Sequence, residues 1–282
     1  MPNASQSYGS IESSAARRLD FLGGERIGII GCGHLGSAIA LQLVSGGFPL
    51  DRLRVSRGKS DGSFQKIIDV GLGPCLAGNE EICRDSSIIF ICIRPQSLPE
   101  LEPLAFPKDS LVVSCLAGVS FPAIRGLLGV DAVRMMPSGP DSIKEGKGIA
   151  AIYPYNQVLS RILQALGLRV FELSVEEQMH VFTVGICLPA ALLASGDVED
   201  AIEEACRCLS QEYSDFPEIF AWARSVLPHL EREEDKRAYI EKMATRGGIT
   251  EAVVKSLERG EDLLLALKQG IKRSREISLC YG

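Results

Sequence analysis

The segment Ile27-Gly28-Ile29-Ile30-Gly31-Cys32-Gly33-His34-Leu35-Gly36 constrains this chain more than any other stretch. A short apolar run feeds directly into G-x-G-x-x-G, and a helical pattern follows over residues 37–44. That order is strand, glycine turn and helix N-terminus, which dinucleotide binding requires. Gly31 allows the tight turn. Gly33 lets the backbone approach a pyrophosphate with no Cβ in the way, and Gly36 lets the helix pack close to the strand. Unpaired N–H groups of the first helical turn face the phosphates, and the helix dipole favours negative charge there. Gly31, Cys32, Gly33, His34, Leu35 and Gly36 are therefore candidate cofactor contacts. The alternative is a glycine-rich βα turn of a doubly wound sheet that binds nothing.

The 282 residues suffice for two domains, and 46% hydrophobic with 23% charged residues can bury a sizeable core. The net charge of −6 argues against a general nucleic-acid binder. No apolar run reaches the length of a membrane span. The first 24 residues are polar and Ser-rich, with Arg17-Arg18 but no apolar core, and do not read as a secretory signal. A cytoplasmic protein is expected, with no membrane or nucleic-acid partner. Nine cysteines, an odd number, lie partly inside apolar strand-like runs and read as reduced and buried. Cys206 and Cys208 are two apart on a helical pattern and do not face each other, and His34, His180 and His229 are isolated. No metal site is expected.

Along the chain, short apolar runs alternate with helical patterns up to about residue 173. Strands are predicted at 26–30, 53–56, 74–76, 87–93, 111–115, 132–136, 148–153 and 169–172. Helices are predicted at 36–45, 61–70, 157–166 and from Glu80, with Asn79 as cap. The remainder shows helical patterns only: 175–193, 199–211, 217–227, 233–243, 250–259 and 263–277. The expected fold is α/β: a Rossmann-type doubly wound, mostly parallel sheet followed by an all-α C-terminal domain. The expected division is 1–24 as a flexible tail, with a short helix over 15–22, then 25–173 as the cofactor domain and 174–282 as a helical substrate and dimerisation domain.

The end of the second strand bears on the choice of nucleotide. An acidic residue there would bind a ribose 2′-hydroxyl, and an Arg would accommodate a 2′-phosphate. Arg54-Val55-Ser56-Arg57-Gly58-Lys59 carries no acid. Ser56 as donor and Arg57 as a bidentate partner suit a phosphate, so NADP(H) is expected over NAD(H). A solvated basic turn without preference is the other reading.

Beyond the glycine motif, five segments resemble pyrroline-5-carboxylate reductases. Ser56-Arg57 resembles a small residue plus Arg after the second strand. Ile91-Cys92-Ile93-Arg94-Pro95-Gln96 resembles V-K-P-Q, with Arg for Lys. Ala117-Gly118-Val119 and Arg134-Met135-Met136-Pro137-Ser138-Gly139-Pro140 resemble A-G-V and R-x-M-P-N-x-P. Thr245-Arg246-Gly247-Gly248-Ile249-Thr250 resembles S-P-G-G-x-T, and Leu257-Glu258-Arg259-Gly260 and a last helix follow it. The order and spacing match from residue 26 to about 278. There are departures. Gly185-Ile186-Cys187-Leu188-Pro189-Ala190-Ala191 stands where the family has S-G-S-G-P-A-Y, Arg246 replaces a proline, and Ser138 replaces an asparagine. The segment 197–211 lacks the expected G-x-x-x-G-L pattern.

The resemblance implies hydride transfer from a nicotinamide to the C=N carbon of a cyclic imino acid, most simply pyrroline-5-carboxylate. Most of the rate enhancement then comes from positioning. It implies cofactor contacts at Ile93, Arg94, Pro95, Ala117, Gly118 and Pro137. Gly247, Gly248 and Ile249 would anchor the substrate carboxylate through backbone N–H groups at a helix start. Thr250 would be the catalytic residue, donating to the imine nitrogen. An ordinary helix start capped by Thr245 or Thr250 is the plain alternative. Arg246 either selects a second acidic group on the substrate or points into solvent. Arg134 is expected to be a structural ion-pair partner. The resemblance also implies a homodimer or higher homo-oligomer whose subunits complete each other's sites, with 263–277 at the interface. Two further readings stay open: a reductase for a different imine or keto compound, and a non-catalytic NADP-binding regulatory protein.

Overall fold

The structure, a computed structural model, describes residues 18–58 and 61–280. The expected tail over residues 1–17 and the ammonium of Lys59 lie outside the described residues. Seven strands form one sheet: β1 (Ile27–Ile30), β2 (Leu53–Val55), β3 (Ile88–Ile91), β4 (Leu111–Ser114), β5 (Ala132–Pro137), β6 (Ile149–Tyr153) and β7 (Arg169–Glu172). Their order is β2-β1-β3-β4-β5-β6-β7. Neighbours run parallel throughout except β5 and β6, which are antiparallel. Every residue of β1 and β3 is buried, which is why these strands read as unbroken apolar runs and not as alternating ones.

The sheet is covered on two faces. Ile27, Ile29 and Phe90 pack with Ala38, Ile39 and Leu43 of α1 (His34–Ser45) and Leu159, Ile162 and Leu163 of α6 (Gln157–Ala165). Ile30, Ile89 and Ile91 pack with Ile82 of α3 (Asn79–Asp85) and Ile124 of α4 (Phe121–Leu128). The chain also forms α2 (Asp61–Asp69) and α5 (Pro140–Lys144). Among the described residues, every element after Glu172 is helical: α7 (Gln178–Gly185), α8 (Leu188–Ala194), α9 (Glu199–Ser210), α10 (Phe216–Ser225), α11 (Glu233–Met243), α12 (Ile249–Glu258) and α13 (Leu263–Leu279). Their core is continuous with the far end of the sheet, because Met136, Ile149, Ala151 and Phe171 belong to it.

Three local expectations are corrected. Residues 74–76 are not a strand: Gly73–Cys75 is a 3-10 turn, with Pro74 in its first turn, and Leu76 makes a single bridge to Val55. Asn79 does not cap α3, whose N-cap is Gly78. The helix expected over 175–193 is two helices, broken at Ile186-Cys187. Pro189 has no N–H and its ring would meet the carbonyl of Gly185 in a continuous helix, so the chain restarts with Pro189 in the first turn of α8. Over 15–22, the described part holds only the 3-10 turn Asp20–Leu22.

Gly28 is a packing requirement of the strand–helix layer. A Cβ there would stand 2.4 Å from Ile82 Cγ2 and 2.6 Å from Ser86 Oγ of the α3 side. Gly28→Ala is therefore expected to lower stability by about 1–3 kcal/mol through overpacking. Urea denaturation checks this, and an unchanged midpoint would contradict the packing.

Candidate active site

The glycine turn is built as its sequence requires. Gly31 has φ +94°, open to glycine at no cost, and a Cβ there would lie 2.7 Å from Ile93 Cγ2. A Cβ on Gly36 would lie 2.3 Å from Gly31 O, so α1 approaches the turn as closely as a helix can. A Cβ on Gly33 would meet nothing within 4 Å. That glycine leaves open space outside the protein, as the approach of a pyrophosphate demands.

The backbone donors are narrower than the motif suggests. The N–H of Cys32 is taken by Ser56 O at 2.8 Å and that of Gly33 by Gly31 O at 2.9 Å. Cys32 is also buried, and burial pushes its thiol up to about 12. Cys32 is thus part of the core and not a cofactor contact. The N–H groups of His34, Leu35 and Gly36, in the first turn of α1, remain for an anion.

Ser56 and Arg57 divide their work. Ser56 is 5% exposed and its hydroxyl accepts from Gly31 N at 3.0 Å. It braces the glycine turn, and Ser56 also lines the cleft beside Arg57. Arg57 is exposed, with its guanidinium 5.7 Å from the centre of the Phe64 ring. Both Arg57 and Phe64 line a cleft of about 730 Å³ closed below by Ala77, Gly78 and Asn79. Asn79 Oδ1 in that wall is buried and has no hydrogen-bond partner among the described residues. Arg54 is spent elsewhere, donating to Asp51 O at 3.0 Å and lying 3.8 Å from Glu81. An aromatic face, an exposed guanidinium and an orphaned amide oxygen fit the adenosine end of a dinucleotide.

On the other side of β1 in the strand row, after β3, Ile93 is half-buried, and exposed Arg94 precedes the 3-10 turn Pro95–Leu101. Ala117 is half-buried, but Gly118 is covered: its Cβ would stand 2.5 Å from Ile277 Cγ2 of α13. Pro137 is buried in the β5–β6 ladder, opposite Ala150. Ser138 is buried too, and its hydroxyl accepts from Ile149 N at 3.0 Å. Gly118, Pro137 and Ser138 shape this end from behind, leaving Ile93, Arg94, Pro95 and Ala117 at its surface. Arg134 is 2% exposed and donates to Glu176 Oε1 at 2.6 Å. That oxygen also accepts from Phe121 N at 2.6 Å, tying β5 and α4 to the entry of the helical part.

The loop before α12 needs the largest revision. Gly248 is the N-cap, and no side chain caps the helix. Gly247 N–H is held by Glu251 Oε2 at 2.7 Å, and Gly248 N–H by Thr245 O at 2.9 Å. Neither is free for a carboxylate. The unpaired donors are the first-turn N–H groups of Ile249, Thr250 and Glu251. Gly247 nevertheless has a structural role. It has φ +73°, and its carbonyl accepts from Arg273 Nε at 3.0 Å and Nη2 at 2.8 Å. Sequence reading missed Arg273, which no motif marks. Because Arg273 and Ile277 are one helical turn apart, α13 supports both the Gly247 loop and the Gly118 turn. Thr250 is half-buried, with its hydroxyl 3.2 Å from Cys187 Sγ. Arg246 is exposed and makes no ion pair among the described residues.

The apolar seam of α13, comprising Leu263, Ala266, Leu267, Gly270 and Ile271, is filled by the chain's own helices, including α12 and α7. His180 is buried against Ser274 at 2.8 Å, and burial lowers its pKa, so it is structural and neutral. All nine cysteines are free. No helix among the described residues is long and apolar enough to cross a membrane.

A Rossmann-type sheet with a glycine turn at its carboxyl edge, followed by a helical region, defines the class. A family model described as "NADP oxidoreductase coenzyme F420-dependent" matches residues 26–118. Pyrroline-5-carboxylate reductase of Escherichia coli (strain K12) is 31% identical over 129 residues, covering 43% of this chain and 47% of that protein. Pyrroline-5-carboxylate reductase 3 of Mus musculus is 25% identical, covering 50% of this chain and 55% of its own length. The chain thus spans about half the length of these curated relatives. Pyrroline-5-carboxylate reductase 2 of Bacillus subtilis (strain 168) aligns over 90% of this chain and 95% of its own length, at 21% identity. The same fold is found in a pyrroline-5-carboxylate reductase from Coxiella burnetii, at TM-score 0.57 and 22% identity over 90% of this chain and 98% of that one. It is found again in the Plasmodium falciparum pyrroline carboxylate reductase solved with NADP bound, at TM-score 0.55 and 18% identity over 90% of this chain and 98% of that one. The chain is thus similar at low identity to pyrroline-5-carboxylate reductases in part of its sequence, and shares their fold over most of its length.

Replacing Ser56 by Ala leaves the Gly31 N–H without its partner. The expected cost is about 1–3 kcal/mol of stability, with NADPH and NADH binding weakened alike. Thermal melting and parallel cofactor titrations check it. A loss confined to NADPH would mean that Ser56 touches the 2′-phosphate after all.

Proposed function

We propose that the chain is an NADP(H)-dependent reductase that adds hydride to the C=N carbon of a cyclic imino acid, most simply pyrroline-5-carboxylate to proline. The observation that carries this reading is the support given by α13 to both ends of the reaction space. Arg273 fixes the Gly247 loop that precedes Thr250, and Ile277 backs the Gly118 turn at the nicotinamide end of the sheet.

When bound, the nicotinamide supplies the hydride from its C4 position. The chain's own residues bind and orient. The N–H groups of His34, Leu35 and Gly36 hold the pyrophosphate. Arg57, beside Phe64, meets the 2′-phosphate, and Asn79 Oδ1 accepts from the adenosine moiety. The N–H groups of Ile249, Thr250 and Glu251 receive the substrate carboxylate at the positive end of α12. The Thr250 hydroxyl then hydrogen-bonds the imine nitrogen. No nucleophile is required, because the reaction is a transfer between two held partners.

A second reading keeps the chemistry and changes the substrate. Arg246 is exposed beside the carboxylate site without an ion-pair partner among the described residues, which favours an imine that carries a second acidic group. In that case Arg246→Ala raises KM for a dicarboxylic imine and leaves the monocarboxylic one unchanged.

Thr250→Ala is expected to lower turnover while leaving NADPH affinity nearly intact, and full activity in this variant would refute the role of Thr250. Arg57→Ala is expected to weaken NADPH by about 1–3 kcal/mol, as for a charge-assisted bond, with little change for NADH. Equal losses for both cofactors would remove the 2′-phosphate contact.

A further inference from the structure

Cys187 lies at the break between α7 and α8, in the stretch Ile186-Cys187-Leu188. It is 4% exposed. Its Sγ lies 3.2 Å from Thr183 O and 3.2 Å from Thr250 Oγ1. A thiol has a single proton, and a carbonyl oxygen can only accept. The contact to Thr183 O therefore uses the thiol proton. The remaining contact then has one donor left, the hydroxyl of Thr250. Burial pushes the Cys187 thiol up to about 11, so at neutral pH the sulfur keeps its proton and is not a competing nucleophile.

We propose that Cys187 is a positioning residue for Thr250: its sulfur accepts a hydrogen bond from the Thr250 hydroxyl, so Thr250 presents oxygen lone pairs, not an O–H, to the substrate nitrogen. This is the reverse of the donation expected from sequence, and it rests on the reading of Thr250 as the group that meets the imine. The matching substrate form is the protonated imine, whose N–H donates to Thr250 Oγ1. Hydride from the reduced nicotinamide forms the new C–H bond. The π pair of C=N moves onto nitrogen, which keeps its proton and becomes a neutral secondary amine. No proton has to leave Thr250. The hydroxyl rotor, fixed before substrate arrives, costs no reorganisation at the moment of transfer.

The test compares Cys187→Ser and Cys187→Ala by steady-state kinetics with NADPH and pyrroline-5-carboxylate, alongside NADPH titration. Serine can make both bonds and alanine neither. The expected result is that Cys187→Ala lowers kcat about tenfold with NADPH affinity unchanged, the size of one lost hydrogen bond, while Cys187→Ser returns most of the rate. A double-mutant cycle in urea with Thr250→Val is expected to show non-additive stabilities. If Cys187→Ala does not fold, Cys187→Val, which fills the site without donor or acceptor, takes its place. Wild-type kcat in the Ala or Val variant, or equal loss in Ser and Ala, overturns the proposal and leaves the reductase reading standing. Full turnover in Thr250→Ala, or none in the wild-type chain, removes the reading on which it rests.

Discussion

The cofactor half depends on the bonds by which Ser56 joins the end of β2 to the glycine turn. Its hydroxyl accepts from Gly31, its carbonyl accepts from Cys32, and its own N–H reaches Ile29 O. These bonds fix the turn before any ligand arrives. With the turn fixed, Gly36 packs against Gly31 O and aims the first turn of α1 outward. Anion binding there uses donors that are already in place, so little ordering has to accompany it. The same serine is followed directly by Arg57, so the residue that stiffens the turn also sets the position of the one that lines the neighbouring cleft.

The helical half is organised around α13. Its apolar seam closes the core with α7, α9 and α12, and its polar edge carries Arg273 to the Gly247 carbonyl. Gly270 in the middle of that seam lets α12 and α7 come close: a Cβ there would lie 2.6 Å from Val253 and 3.0 Å from Val184. The α12 start, with Thr250 and its free N–H groups, is thereby held from two sides, by Arg273 through the loop and by Cys187 through the hydroxyl. The proposed carboxylate site, made from backbone donors, would need such rigidity to orient those groups.

The sheet was legible chiefly where its strands are buried on both faces, as β1 and β3 are, because their apolar runs stand out between glycine, proline and charged stretches. Residues 27–30, 88–91 and 169–172 lie within one or two residues of their expected bounds. Phe121–Leu128 was overlooked, although Ser120 as cap, Pro122 in the first turn and Gly129 in the left-handed region all mark a helix. The break at Ile186-Cys187 was hidden because the residues on both sides are uniformly apolar, and only Pro189 signalled it. Of the candidate site, the glycine positions could be read from the motif. Which N–H groups remain free could not, because that depends on long-range partners such as Ser56 for Cys32 and on the folding back of Glu251 onto Gly247. Arg273 lies in no recognisable pattern, and Cys187 read only as the loss of a serine.

The central claim is that one chain holds a reduced nicotinamide and a cyclic imine in contact. Steady-state oxidation of NADPH on adding pyrroline-5-carboxylate to the purified chain, with NADH in parallel, tests it most directly. The account predicts turnover, faster with NADPH at low cofactor concentration. NADPH that binds but is not oxidised by pyrroline-5-carboxylate or by any cyclic imine, dicarboxylic ones included, would contradict it and leave a nucleotide-binding protein without this chemistry.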